Sequence, residues 1–412
     1  MKLVNQQIIK NNNLKTLYHY IHQEPGISRA QLAKLSGLSK TTVSSLVDEM
    51  IDRKFIQDTG ISEDISTVGR KPNGLQLLQG QHYIVVISWS QKEVHAKLVD
   101  ICGMIVRETS CILDEPGSYI SLSQKLFHEL ITTDFSRWQL LGICIVVPAM
   151  IDPEQKKIYT TTLSLPSDEH ANYLKELKDA FSGYSVGILN DTACAAYAEK
   201  VYTKIPYPDF AYINFQHGIG AALFIQNQLL GQATASYTQF GHYSIDPHGK
   251  VCSCGNRGCL ELMIGENVLK ERLLDAGCCA PLLNNEKITY ADLSSCALYG
   301  DLSAQKVIRE MAQEFALALS NLVCIVHPKL IIIGGKGKNL GPLFLDTVTE
   351  VLKTTGFRQM LDSLKIRYGF LDSTAYFIGA MKYFFDIHYD FTQESNTLLF
   401  TSDNTSCRME VL

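Results

Sequence analysis

The chain has 412 residues, 46% of them hydrophobic, with a formal net charge of −5. That length exceeds what one core usually organises, so two or three domains are expected. No run of about 18 apolar residues occurs and the start MKLVNQQIIKNNN lacks a signal-peptide pattern, so a cytoplasmic chain with no membrane span is expected.

Twelve Cys in that compartment read as thiols or metal ligands rather than disulfides. Charge is unevenly divided: residues 1–75 carry ten Lys/Arg and seven Asp/Glu, a net of +3, against −8 for the remainder. Any nucleic-acid contact is therefore expected at the N-terminal end.

In chain order, Leu14, Leu17, Tyr18 and Ile21 repeat at helical spacing and Pro25-Gly26 ends that helix. Ser28 then precedes RAQLAKLSG, with Gly37 as its stop, and a further helix is predicted from Ser39, with Val43, Leu46, Val47, Met50 and Ile51 on one face. This is a helix-turn-helix pattern. Ser39, Lys40, Thr41, Thr42, Ser44 and Ser45 occupy the other face, short donors and a cation suited to phosphates and base edges in a major groove of double-stranded DNA. The stretch FIQDTGISEDISTVGRKPNGLQLL reads as a β-wing, where Arg70 and Lys71, held extended between Gly69 and Pro72, can enter a minor groove or grip phosphates. We take residues 1–75 as this winged helix and 76–82 as a short linker.

From residue 83 the chain alternates. YIVVISW, VHAKLVD and MIVRETS read as consecutive strands; LLGICIVVP, YSVGILND, FAYINF and KLIIIGG read as buried strands. ISLSQKLFHELIT, ACAAYAEKVY and SAQKVIREMAQEFALALSNLVCIV read as helices, giving a mixed α/β body long enough for two lobes and a cleft. Within GHYSIDPHGKVCSCGNRGCLE, His242, Cys252, Cys254 and Cys259 offer three thiolates and an imidazole within eighteen positions, a donor set for one closed, structural zinc ion.

These stretches together resemble the ROK family, which groups transcriptional repressors with sugar kinases. The most specific match is QFGHYSIDPHGKVCSCGNRGCLE, against the family's E-x-G-H…C-x-C-G-x-x-G-C-x-E; ILNDTACAAYAEK, GICIVVPAMID and IIIGGKG add to it. The resemblance implies an actin/hexokinase-like (ribonuclease H-like) two-lobe body, with residues 83–192 and 377–412 in the first lobe and 193–376 in the second. It also implies a homodimer or homotetramer, and a sugar or sugar derivative in the cleft held by Asn190, Asp191, Gln239, His242 and Glu261. Amides and carboxylates are the paired acceptors that vicinal hydroxyls require. Taken alone, Asn190-Asp191 is a turn and a helix N-cap. Two positions depart from the pattern: Gln239 stands for the family's Glu, and Pro148-Ala149 for its Pro-Gly, where the added methyl is expected to crowd the cleft.

A kinase of this family needs D-x-G-G-T at the first hairpin, where glycines let N–H groups approach phosphates. Ile87–Lys92 has neither the Asp nor the Gly pair, and Trp89 is expected where the phosphates would lie; Gln216-His217-Gly218 stands for a second loop, G-T-G. The expected function is a sugar-controlled repressor of carbohydrate-utilisation genes, not an enzyme. Two alternatives stay open on the residues: a sugar kinase with a DNA-binding head, and a repressor whose sensor lobe answers to a protein partner.

Overall fold

A computed structural model describes residues 6–60, 74–131, 139–152, 157–160, 162–165, 172–216, 218–231, 238–278 and 281–392. In the head, α1 (Gln6–Gln23) buries Leu14, Leu17, Tyr18 and Ile21. After β1 (Ile27–Ser28), α2 (Arg29–Ser36) starts at a capping box, Ser28 with Gln31, and ends where Gly37 takes φ +69°, a left-handed value that glycine adopts without Cβ strain. Helix α3 (Lys40–Asp52) buries Val43, Leu46, Val47 and Met50. Strands β2 (Ile56–Asp58) and β3 (Gly74–Leu77) form an antiparallel hairpin, completed by β1 in the order β1-β3-β2. The loop between them, including Arg70 and Lys71, lies outside the described residues.

The first lobe contains β4 (Tyr83–Trp89), β5 (Glu93–Asp100), β6 (Ile105–Ile112), α4 (Tyr119–Leu130), β7 (Leu140–Val147), β8 (Met150–Asp152), β9 (Lys157–Tyr159), α5 (Tyr173–Ala180) and β10 (Val186–Asn190). Helix α6 (Asp191–Tyr202) leads to the second lobe: β11 (Phe210–Phe215), β12 (Ile219–Ile225), β13 (Gln228–Leu229), α7 (Glu261–Ile264), α8 (Leu269–Asp275), α9 (Tyr290–Leu298), α10 (Leu302–Val326), β14 (Leu330–Gly335), α11 (Gly341–Thr355), α12 (Arg358–Leu361) and β15 (Lys365–Tyr368). Helix α13 (Tyr376–Tyr383) returns to the first lobe. The two large sheets share one topology. Each has three antiparallel strands, with two parallel strands added beside the first: β10-β7-β4-β5-β6 and β13-β12-β11-β14-β15. The inner parallel strands β7 and β14, and β10 up to Asn190, are apolar, as strands covered on both faces must be, whereas the edge strand β15 carries Lys365 and Arg367.

The expected linker is not a free tether. Gln76 and Leu77 belong to β3, Leu78 N–H donates to Phe55 O (3.0 Å), and Gly80 N–H donates to the buried Asp100 carboxylate (2.5 Å). The segment after α13 closes over the same junction. Phe391 packs on Phe55, Tyr18 and Phe385, Arg53 donates to Phe391 O (2.7 Å) and Tyr389 Oη (3.0 Å), and Phe391 N–H donates to Asn11 Oδ1 (2.9 Å). One buried cluster therefore runs from the head core through Phe384 and Phe385 into the β4–β7 sheet. A start on the tail that sequence left undefined, residues 389–392, is thus part of the head–lobe junction; 393–412 lie outside the described residues.

Candidate sugar, metal and nucleic-acid sites

The loop from Phe240 to Leu260 has little regular structure. Two isolated bridges, Ser244 with Cys259 and Val251 with Arg257, fold it back on itself. Gly258 sits at φ +59°, where any Cβ would collide with the Asp246 carbonyl. This turn brings His242, Cys252, Cys254 and Cys259 together, each ligand atom within 4.8 Å of the others. His242 Nδ1 lies 3.6 Å from Cys252 Sγ, and Cys254 Sγ lies 3.7 Å from Cys259 Sγ. The cluster could hold a metal ion, with the imidazole presenting Nδ1 to it and Nε2 away from it. Cys259 leads through buried Leu260 into α7, whose first residue is Glu261.

Glu261 reaches from α7 to the start of β12. Its Oε2 accepts from Ile219 N–H (3.0 Å), and both Gly218 and Gly241 are glycines against which a Cβ would press on this carboxylate. One residue further, Gly220 packs on Thr192, and Asn214 Nδ2 donates to Thr192 Oγ1 (3.1 Å). Thr192 N–H in turn donates to Asp191 Oδ1 (2.6 Å). The N-terminal end of β12 thus gathers Thr192, next to Asp191, from α6, Glu261 from α7, and Gly241, next to His242. Asn190 takes the N-cap role: its Oδ1 accepts from Ala193 N–H (3.0 Å) while its Nδ2 donates to Ala149 O (3.1 Å). Gln239 is exposed at the start of the turn that carries His242.

Burial pushes the Asp191 carboxyl up to about 6, against opposing hydrogen bonds from Thr192 and its own backbone. Desolvation penalises the charged form, and no cation among the described residues offsets it. The facing titratable groups, Cys194, Tyr212 and Tyr376, are themselves raised by burial and stay neutral at this pH. The folded pKa exceeds the unfolded one, so this group favours the fold below about 3.8 and loses that contribution progressively as pH rises from there through about 6. Asp191→Asn is accordingly expected to raise the melting temperature of the ligand-free protein at pH 7.5 and, because the unfolded carboxyl already ionises near 3.8, to raise it distinctly less at pH 5. Equal shifts at the two pH values would refute the assignment.

Two expectations about the kinase end of the cleft need correction. The Trp89 side chain points away from it, buried on Tyr119 (5.0 Å between rings) with Nε1 donating to Ser123 Oγ (2.9 Å), because alternation along β4 sends Trp89 into the lobe core and Ser88 to the α13 side. Ala149 also lies in that core and does not crowd the cleft. What faces Ser88 is Tyr376, which bonds its hydroxyl. On the second lobe the Tyr212 phenol lies over Gly334. Neither tyrosine was legible as a site residue, since both sit in stretches that read as core. Glu199 was also missed. Buried two turns beyond Asp191, it accepts from Arg367 (2.8 Å), Phe370 N–H (3.0 Å) and Leu371 N–H (3.3 Å), tying α6 to the chain's return crossing. His217 lies outside the described residues.

In the head, Ser39 is the N-cap of α3 rather than its first residue: its Oγ accepts from Thr42 N–H (3.1 Å). Ser39, Lys40, Thr41 and Ser45 are exposed, while Thr42 and Ser44 are half-buried. Together they leave one continuous polar face on the second helix of the helix-turn-helix.

A winged helix docked on a two-lobe body of repeated five-stranded sheets defines the class: a DNA-binding module joined to a sugar-kinase-like fold. Residues 10–57 match the winged helix-turn-helix DNA-binding family and residues 121–384 match the ROK family. The chain belongs to the ROK family. It is similar to the xylose repressor of Bacillus subtilis, 26% identical over 370 residues (89% of this chain, 93% of that protein). It is also similar to the DNA-binding transcriptional repressor Mlc of Escherichia coli, 26% identical over 353 residues (84% and 86%). A crystal structure of a ROK family transcriptional regulator, a homolog of the E. coli MLC protein, superposes with a TM-score of 0.76 at 24% identity, covering 93% of this chain and 97% of that one. A ROK family glucokinase from Streptomyces griseus gives 0.60 at 19% identity over 73% of this chain and 98% of its own. These two likenesses establish the fold.

Proposed function

We propose that this protein is a DNA-binding transcriptional repressor of carbohydrate-utilisation genes, released or engaged by a sugar in the interlobe cleft. The observation that carries the reading is the approach of Thr192 beside Asp191, Glu261, and Gly241 beside His242, to one end of β12, in a chain whose first lobe also bears a winged helix. Asn190 and Gln239 complete the sugar set, Asn190 by fixing the start of α6 and Gln239 from the rim. The relatives named xylose repressor make pentose control the first to examine.

The metal is zinc, with a structural role. Tetrahedral ligands at about 2.3 Å for sulfur and about 2.0–2.1 Å for nitrogen sit about 3.8 Å (S to S) and about 3.6 Å (S to N) apart. The separations of 3.7 and 3.6 Å fit that geometry. When bound, the ion fixes a loop that lacks its own ladder of hydrogen bonds, and four protein ligands leave no position for a reacting water.

The body is not a kinase. In the turn after Trp89, the Ser90 hydroxyl and N–H are spent on Glu93, so the hairpin closes on itself and offers no cradle for phosphates. A coupled assay with pentoses and hexoses should show no sugar-dependent ADP release. We divide the chain into a head through residue 75, a first lobe of 83–192 with the segment from 377, and a second lobe of 193–376. Helix α6 spans the boundary between the lobes, and 76–82 serves as a hydrogen-bonded joint. The protein acts in the cytoplasm as a dimer or tetramer.

On DNA, α3 enters the major groove through Ser39, Lys40, Thr41, Thr42, Ser44 and Ser45, and Arg70 and Lys71 of the wing contact backbone or minor groove. A dimer then reads an inverted repeat. Binding to DNA fragments enriched from a random pool tests this. Each Lys or Arg contacting a phosphate contributes about −0.9 to the slope of log K against log salt. Arg70→Ala with Lys71→Ala should therefore flatten the slope by about one to two and weaken binding; an unaltered slope and affinity would remove the wing from the interface.

A further inference from the structure

The three thiols of the metal loop are unequally accessible. Cys252 and Cys259 are 4% and 0% exposed, whereas Cys254 stands in a continuously exposed run, residues 253–257. The space beside Gly255, the next residue, is open, so the tip of the loop has room to shift. The sulfurs also fall into two pairs. Cys252 Sγ lies against His242 Nδ1 (3.6 Å), and Cys254 Sγ lies 3.7 Å from Cys259 Sγ. A disulfide of about 2.0 Å between the second pair needs an approach of about 1.7 Å. Holding a metal requires thiolates, and the thiolate is the form that oxidants attack. Susceptibility follows thiolate character together with exposure, and in this loop both fall on Cys254. Cys324 on α10, the other exposed cysteine among those described, belongs to no such cluster.

We infer that the metal loop is a peroxide-responsive switch, in which Cys254 and Cys259 join as a disulfide and the metal is released. This rests on the zinc reading and goes beyond it. The Cys254 thiolate attacks one oxygen of hydrogen peroxide. An S–O bond forms, the O–O bond breaks, and the departing hydroxide takes up a proton as water, leaving a sulfenic acid. The Cys259 thiolate then attacks that sulfur. An S–S bond forms, the S–O bond breaks, and a second hydroxide leaves as water with a second proton. Two thiolates have given up two electrons, and one peroxide has taken them. His242 and Cys252 remain, too few to close a four-coordinate site. Leu260 and α7 follow Cys259 directly, so the same event loosens the backbone that carries Glu261 to the Ile219 N–H. A thiol reductant reverses the disulfide and restores the ligand set.

The test treats the full-length protein, purified with its zinc, with hydrogen peroxide. Released metal is read with a chromogenic chelator, and disulfides are mapped by mass spectrometry of non-reduced peptides. About one zinc per chain should leave, in step with the loss of two thiols and the appearance of a Cys254–Cys259 crosslink. Added reductant and zinc should restore the starting state. Cys254→His replaces the exposed thiol by another zinc ligand, and should keep its metal at a peroxide dose that empties the wild type. Cys324→Ser should respond as the wild type does. Zinc that stays bound while peroxide consumes thiols elsewhere overturns the inference and leaves the zinc reading standing. So does a release that maps to another cysteine pair, or one that Cys324→Ser abolishes. Should Cys254→His fail to load zinc, the wild-type disulfide map alone decides. A wild-type protein that never carries zinc overturns the zinc reading, and the inference with it.

Discussion

Cys254→Ser is expected to release the metal and abolish the response to effector while sparing DNA binding. Cys254 is the exposed member of the cluster, whereas Cys252 and Cys259 are buried, so a serine there removes one ligand with little steric disturbance. Zinc sites of this donor type contribute apparent binding energies on the order of 10 kcal/mol, comparable to the whole net stability of a typical domain. Here the loss should be local. The loop depends on the ion, and so does α7 with Glu261, two residues after Cys259. The head packs on the opposite lobe through Phe55, Phe385 and Phe391. Metal content should fall from about one zinc per chain to background, the unfolding transition should acquire an early component, and operator affinity in the absence of effector should stay near wild type. Wild-type protein purified without chelator that carries no zinc would end this assignment, as would a Cys254→Ser protein that keeps both metal and response.

The physical reasons for what sequence revealed, and what it hid, differ from site to site. The cluster of His242, Cys252, Cys254 and Cys259 was legible because three thiols and an imidazole at close spacing are rare, and the intervening glycines signal the turns that close the loop. The helix-turn-helix was legible because caps and apolar spacing are local: Ser28, Gly37 and Ser39 all take the roles their residue types favour. Trp89 was misplaced because a strand's two faces differ by one residue, and nothing local states which face meets the cleft. Tyr212, Tyr376 and Glu199 were hidden because their significance lies in partners 21 to 288 positions away, namely Asp191, Ser88 and the 367–371 segment. The junction between head and lobe was hidden for the same reason: Phe391 meets Asn11 across 380 residues.

That junction decides how a cleft ligand would reach DNA. Asp191 opens α6 directly after β10 of the first lobe, and Glu261 belongs to the second, so a sugar bonded to both favours the arrangement that brings the lobes together. A flexible linker would dissipate such a movement. The segment from Leu78 to His82 is instead bonded to both sides, with Gly80 on Asp100 and His82 Nε2 on Arg53 O (2.8 Å), and Arg53 also holds the strap at Phe391. Head and first lobe therefore move as one body. In the proposed dimer, closure against the second lobe would alter the spacing of the two heads, and a rigid pair of recognition helices fits two half-sites at one spacing only. The ligand can shift this balance only by its differential affinity for the open and closed states. A coupling of about 1–3 kcal/mol would change operator affinity about 5- to 150-fold. Asp191→Ala and Glu261→Ala should each retain operator binding and lose that change, since each removes the acceptor of one lobe. Phe391→Ala should separate the two steps: sugar still binds, but the operator response shrinks, because the head is no longer clamped to the lobe that moves. Measuring sugar binding and operator affinity on the same three variants distinguishes the outcomes. If Asp191→Ala and Glu261→Ala both answer the effector as wild type does, the ligand sits elsewhere; if Phe391→Ala keeps the full response, the signal reaches DNA by a route other than the aromatic strap.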